Sequence, residues 1–262
     1  MLPEQNFGKL TRDDLRQAIA LLPMLEQHQA AFHALSSEDP DKFSEIFFGA
    51  TWAHLYELPY PQLLLDFLQV AGLREYVAQA AKQEAPVESL LKLAEIDSRE
   101  GDIGATEELE PIQLLAYLHA VQGNLNCVLL YGEYLCDLLA KARDGDMPAL
   151  LRAIRVDPSV VSGPTGAKSL SAAIAIGNKG CLDDIRNAMA GRTGKQARIL
   201  NKFRFLAQVL HEIGELGRPT RELVDLVLDL GIYTETKNGD PEKNLSELLR
   251  KFRKLKKPTI SK

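Results

Sequence analysis

Apolar residues recur at three- and four-residue spacing along almost the whole chain, and no stretch alternates apolar and polar residues as strands do. In "DDLRQAIALLPMLEQHQAAFHAL" the stripe is interrupted only by Pro23, which is expected to kink or divide the helix. "EDPDKFSEIFFGATWAHLYE" opens with Asp39 as an N-cap and Pro40 at the first helical position. Pro59 and Pro61 then break the chain before "PQLLLDFLQVAGLREYVAQAAKQ", and a further helix is expected from Pro86 to about Asp97. After the acidic loop "SREGDIGATEELE", helices resume at "PIQLLAYLHAV", are expected to pause at Gly123-Asn124, and continue through "CVLLYGEYLCDLLAKARDG". The fold class is all-α, with a helical body of stacked helix pairs followed by a small three-helix unit.

Composition bounds what such a chain can be. With 262 residues, 45% hydrophobic and 26% charged, it can bury a full core and is not a disordered polyelectrolyte. No apolar run approaches the ~18–20 residues of a membrane span, since "LLLDFLQVAGL" is short and contains Asp66. The opening "MLPEQNFGKLTRDDL" lacks the charged-then-apolar order of a signal peptide. Cys127, Cys136 and Cys181 fit neither an even disulfide framework nor zinc spacing. A reducing cytoplasmic setting, with the cysteines as small core residues, is the expectation.

Two segments repeat. "LAKARDGDMPALLRAI" and "SAAIAIGNKGCLDDI" each place a small-residue helix before a Gly, a short turn and a second helix. Gly145 and Gly177 share an offset with Leu150 and Leu182, so Leu150, Leu151, Leu182 and Ile185 are expected to meet between two stacked helix pairs. With "GPTGAKSL" between them, residues ~138–190 resemble an ankyrin-type helix pair, a family whose repeat is near that length. The family's Thr-Pro-Leu-His turn is replaced here by Lys168-Ser169-Leu170-Ser171.

A new segment opens at Gly191, giving an expected division into an acidic helical body, 1–190, and a basic three-helix unit, 191–262. Residues 1–140 hold 8 Lys/Arg against 22 Asp/Glu, a balance of −14; residues 141–262 hold 23 against 14, a balance of +9. Such asymmetry marks one end as a surface for nucleic acid or an acidic partner. In "KNLSELLRKFRKLKK", at 100° per residue, Leu245, Leu248, Leu249, Phe252 and Leu255 gather on one side. Lys243, Arg250, Lys254 and Lys257 lie opposite, with Arg253 beside them and Glu247 within the same row. The preceding helix places Lys195, Arg198 and Lys202 on one flank of an Ile199–Phe203–Leu206–Leu210 stripe, with Arg192 and Arg204 off it. One side of these helices can pack on a core while the other meets phosphates and base edges, Arg250 being best suited to guanine. Ile199, Phe203, Leu206, Leu226, Leu248 and Phe252 are the expected core of the unit.

The stretch "FLAQVLHEIGELGRPTRELVDLVLDLGIYTETKNGDPEKNLSELLRKF" resembles the winged helix-turn-helix module called HARE-HTH, found in restriction and chromatin-associated proteins. The shared elements are a first helix ending near Gly214–Gly217, Pro219 after it, "ELVDLVLDLGIY" closed by Gly231 and Tyr233, and a Thr/Lys-rich connection with Pro241 before a basic helix. Only "PTISK" follows Lys257, so the family's β-wing contacts do not carry over. The resemblance implies binding of duplex DNA.

Catalytic patterns are absent from the sequence. His54 and Glu57 are three residues apart without a second such pair, and no His-Glu-x-x-His occurs. Asp183 and Asp184 are helix neighbours that diverge, and "GPTGAKS" lacks the phosphate-loop spacing. His119 and His211 are expected as satisfied polar residues at the core edge. No cofactor or metal motif stands out. The functional expectation is a non-enzymatic DNA-binding protein whose acidic body serves protein contacts or self-association. A helical adaptor whose basic end meets an acidic protein is the alternative.

Overall fold

A computed structural model of the chain describes residues 7–25, 27, 52–92, 111–190, 200–232 and 240–256. It is all-α, as the periodicity requires; among the described residues the only β feature is an isolated bridge between Phe7 and Leu10. In chain order the helices are α1 (Arg12–Ala20), α2 (Tyr60–Val70), α3 (Arg74–Ala80), α4 (Pro111–Tyr131), α5 (Leu135–Arg143), α6 (Met147–Val156), α7 (Pro164–Ala175), α8 (Lys179–Met189), α9 (Asn201–Glu212), α10 (Thr220–Asp229) and α11 (Pro241–Leu255). Short 3₁₀ turns fall at Trp52–Glu57, Pro158–Ser162 and Glu215–Gly217. The expected helix opening at Asp39-Pro40 and the acidic loop at 98–110 lie outside the described residues.

Local chemistry sets most boundaries. Thr11 and Asp14 form a reciprocal capping box, each side chain accepting from the other's backbone N–H, which starts α1. The helix ends at Leu21, just before Pro23. The stretch from Tyr60 to Ala80 is two helices, because Gly72 takes a left-handed φ of 67° and reverses the chain between them.

One expectation fails inside α4. The helix runs unbroken through Gly123 and Asn124 and stops instead at Gly132, whose φ is +77°. Gly123 is a close-packing site, where any Cβ would collide with the Tyr56 hydroxyl. Asn124 is fully buried and donates to Ala120 O at 3.0 Å while accepting from Cys136 N at 3.1 Å. These two residues read as a turn because of their propensities, but here they let neighbours approach a helix that is surrounded.

That helix is the spine of the body. The 3₁₀ turn at 52–57, α2 and α5 pack on it from one side and α9 from another. Its main core joins Tyr56, Leu63, Ala120, Cys127, Leu138, Leu150 and Ile154. The repeated segments are two hairpins, α5–α6 and α7–α8, with α8 lying along α6 and α7 against α5. Their turns match bond for bond at an offset of 32 residues. Asp146 N donates to Lys141 O and Asn178 N to Ala173 O, while the Asp146 and Asn178 side chains cap Ala149 N and Cys181 N at 3.0 and 3.1 Å. Gly145 and Gly177 supply the left-handed residue in each. Leu150 and Ile185 are buried in the same core, and Leu151 packs against it.

The second core gathers α9, α10 and α11: Phe203, Leu206, Leu210, Leu223, Leu226, Leu245, Leu249 and Phe252. It is not built from 191–262 alone. Phe7 and Leu15 are part of it, Arg218 stacks over the Phe7 ring at 4.8 Å, and Arg12 pairs with Asp229 at 3.0 Å. Leu248 is only half-buried, and Ile199 lies outside the described residues, as does the expected boundary at 190/191. Among the described residues no helix is long and apolar enough to cross a membrane.

Candidate nucleic-acid interface

Helix α11 begins at Asp240, whose side chain caps the N–H groups of Glu242 and Lys243. Its buried face is Leu245, Leu249 and Phe252, and burial of side chains this size stabilises by about 1.5–3 kcal/mol each. The rest of the helix is decided by that orientation. Lys243, Glu247, Arg250 and Lys254 follow at spacings of four, three and four, a row along the opposite side, and all four are exposed. Lys251 is exposed at the edge of the row. Among the described residues no carboxylate forms an ion pair with Lys243, Arg250, Lys251 or Lys254, Glu247 included.

The other expected contacts divide. Lys202 is exposed near the start of α9, but α9 meets α11 through the edge-to-face pair Phe203–Phe252, 6.4 Å between centroids, not through cations. Those two phenylalanines are core, as expected. Lys195, Arg198 and Lys257 lie outside the described residues. Arg253 does not belong to the outward row: its guanidinium is taken up inside the protein. Nε donates to Leu216 O at 2.8 Å, Nη1 to Thr220 Oγ1 at 3.0 Å, and Nη2 to Arg218 O. Three donors of one planar fork thus close the turn that leads into α10. The projection held the clue, because Arg253 sits on the side of the row nearest the buried stripe.

Two further contacts fix the helix, and neither carried a sequence signal. Phe252 lies over the turn after α4, so close that a Cβ on Gly132 would stand 2.5 Å from its ring. Lys256 reaches back over the Phe252 ring at 5.6 Å. Burial pulls its ammonium below the ordinary pKa, opposed by the carboxylates of Asp137, Glu133 and Glu212. The row therefore stands on a helix clamped along its other side.

A second polar constellation lies in the body. Asp157 is buried, and its Oδ2 accepts from Trp52 Nε1 at 3.1 Å, Tyr56 Oη at 2.6 Å and His119 Nε2 at 3.0 Å, while Oδ1 accepts from Ser159 N at 2.9 Å. Burial alone would raise the carboxyl, but hydrogen bonding and charge from His119, with the Tyr56 and Ser159 donors, bring it down to about 2. Both oxygens are occupied by protein donors, so the arrangement ties three segments together and leaves no acceptor for a substrate. His119 is the satisfied core-edge histidine expected of it. Glu57 likewise pairs with Arg143 at 3.1 Å and accepts from Thr165 Oγ1 at 2.8 Å, rather than joining His54. Among the described residues no three His, Cys, Asp or Glu side chains are placed to hold a metal.

No protein-family model, curated protein or solved structure matches the chain.

Proposed function

We propose that the chain is a non-enzymatic, cytoplasmic DNA-binding protein that meets the duplex with the outward row of α11, its acidic body serving protein contacts. The observation that carries this reading is the set of exposed cations Lys243, Arg250, Lys251 and Lys254, which have no carboxylate partner among the described residues. They stand on a helix whose opposite side is fixed by Phe252, Arg253 and Lys256. A row on a fixed helix loses little backbone freedom on docking, and its regular spacing favours a ligand that is itself a regular array of negative charge. Arg250 carries the planar fork for a guanine edge, and the lysines suit phosphates.

The test is fluorescence anisotropy of a labelled duplex titrated with the full chain across salt concentrations. Contact with about five phosphates gives log K a slope near −4.5 against log salt. The double reversal Arg250→Glu with Lys254→Glu removes one phosphate contact and the guanine contact, so the slope should flatten by about 0.9 and affinity fall, while thermal unfolding stays as in the parent. Absence of duplex binding at low salt, or a double reversal that binds like the parent, overturns the proposal. The adaptor reading then takes its place.

A further inference from the structure

Away from α11, three arginines from two helices converge on one tyrosine at the end of α4. Arg152 and Arg155 stand three apart on α6, on the flank opposite its buried Leu150, Ala153 and Ile154. The Arg152 guanidinium is 5.9 Å from the centroid of the half-buried Tyr131 ring, within cation–π range. Arg155 is half-buried one helical turn further on, and its charge favours the ionised form of the same phenol against the burial that raises its pKa. From α9, Arg204 donates to Leu129 O at 3.1 Å, and its charge also acts on Tyr131. Elsewhere Arg12, Arg143, Arg186 and Arg218 each hold a carboxylate. Among the described residues Arg152 and Arg155 hold none.

The geometry points to a phosphate-binding site formed by Arg152, Arg155 and Tyr131 with Arg204 at its edge. Its ligand class is a phosphate oxyanion of charge −2 or more. The like charges of Arg152 and Arg155, three apart on one helix flank, repel each other, and a multivalent anion relieves that repulsion while accepting the parallel N–H pairs that guanidinium forks present. Tyr131 is a positioning residue: its ring holds the Arg152 fork in place before the ligand arrives. None of these residues is on α11, so the inference stands independently of the duplex reading. A free inorganic phosphate and the terminal phosphate of a nucleic-acid strand share the required chemistry.

Isothermal titration of the full chain at low salt, with inorganic pyrophosphate as one probe and a 5′-phosphorylated oligonucleotide beside its dephosphorylated twin as the others, tests the site. For pyrophosphate the expected result is saturable one-to-one binding, weakened about tenfold or more by Arg152→Gln with Arg155→Gln and equal to the parent's in Arg250→Glu with Lys254→Glu. For the two oligonucleotides the reading is only the difference between the phosphorylated and dephosphorylated strand. A preference for the phosphorylated strand that disappears in the glutamine variant assigns the ligand to nucleic-acid ends. Binding of pyrophosphate without that preference assigns it to a free phosphate compound. Tyr131→Phe keeps the ring and should weaken binding less than the double variant; it also serves if the latter does not fold. The site is refuted if neither pyrophosphate nor the phosphorylated strand binds, or if the arginine substitutions leave affinity as in the parent.

Discussion

Asp157→Asn is nearly isosteric and removes one charge from a buried site, so its effect can be worked from the structure. The carboxyl is held at about 2 against an ordinary 3.8. At 1.36 kcal/mol per pH unit, the ionised form is favoured in the folded chain by about 2.5 kcal/mol over the neutral form. The asparagine imitates that neutral form, since it offers one acceptor oxygen to four donors and turns an N–H₂ toward at least one of them. It should lower stability at pH 7 by about 2–3 kcal/mol, or roughly 5–10 °C in Tm for a chain of this size. The sign with pH follows from the depressed folded value. The stabilisation is fully present above the unfolded pKa near 4 and is lost as pH falls through about 2. Parent and variant should therefore converge between pH 4 and pH 2. Urea unfolding followed by tryptophan fluorescence reads this directly, because the single tryptophan, Trp52, donates its indole N–H to the same carboxylate. Equal stability at pH 7, or a difference that persists unchanged at pH 2, would refute the reasoning.

The remaining predictions concern packing. Gly166→Ala should destabilise by more than about 3 kcal/mol, because the new methyl collides with the Val160 carbonyl in a buried turn, whereas Gly177→Ala has open space around it and should lose only about 1–2 kcal/mol from its φ of 63°. Thermal unfolding of the two variants side by side checks the order. Arg253→Ala removes three hydrogen bonds to the 216–220 turn and should lower stability by roughly 2–3 kcal/mol, with amide exchange rising first in α10 and α11. Gly123→Ala should lower stability and perturb Trp52 emission together, since its methyl displaces the Tyr56 hydroxyl from Asp157.

How much of this was legible depends on whether the signal was local. Helical class and the Gly145 and Gly177 turns follow from spacing within one or two helical turns, and each was visible in the sequence. The outward row of α11 was visible for the same reason, because one buried stripe fixes every other direction on the helix. The break at Gly123-Asn124 was misplaced because the deciding contact, Tyr56, lies far away along the chain. Asp157 takes its partners from 105, 101 and 38 residues away, so no window on the sequence contains the site. Tyr131 and its arginines belong to the same class, since the segments of α4, α6 and α9 are joined only by the fold.

The charge asymmetry between the two ends acquires a physical meaning once α11 is seated. The carboxylates of Glu133 and Asp137 in the acidic body act on Lys256 at the buried root of the helix, while Lys243, Arg250 and Lys254 point the other way. Attraction between the two ends also includes the Arg12–Asp229 pair, and none of it neutralises the row. Had opposite charges merely been drawn together, the exposed cations would be the ones paired with the body's acids. Instead the lysine of α11 near those acids, Lys256, is the half-buried one. The body holds the helix by its apolar side and a single cation, leaving the others to solvent and to whatever polyanion meets them.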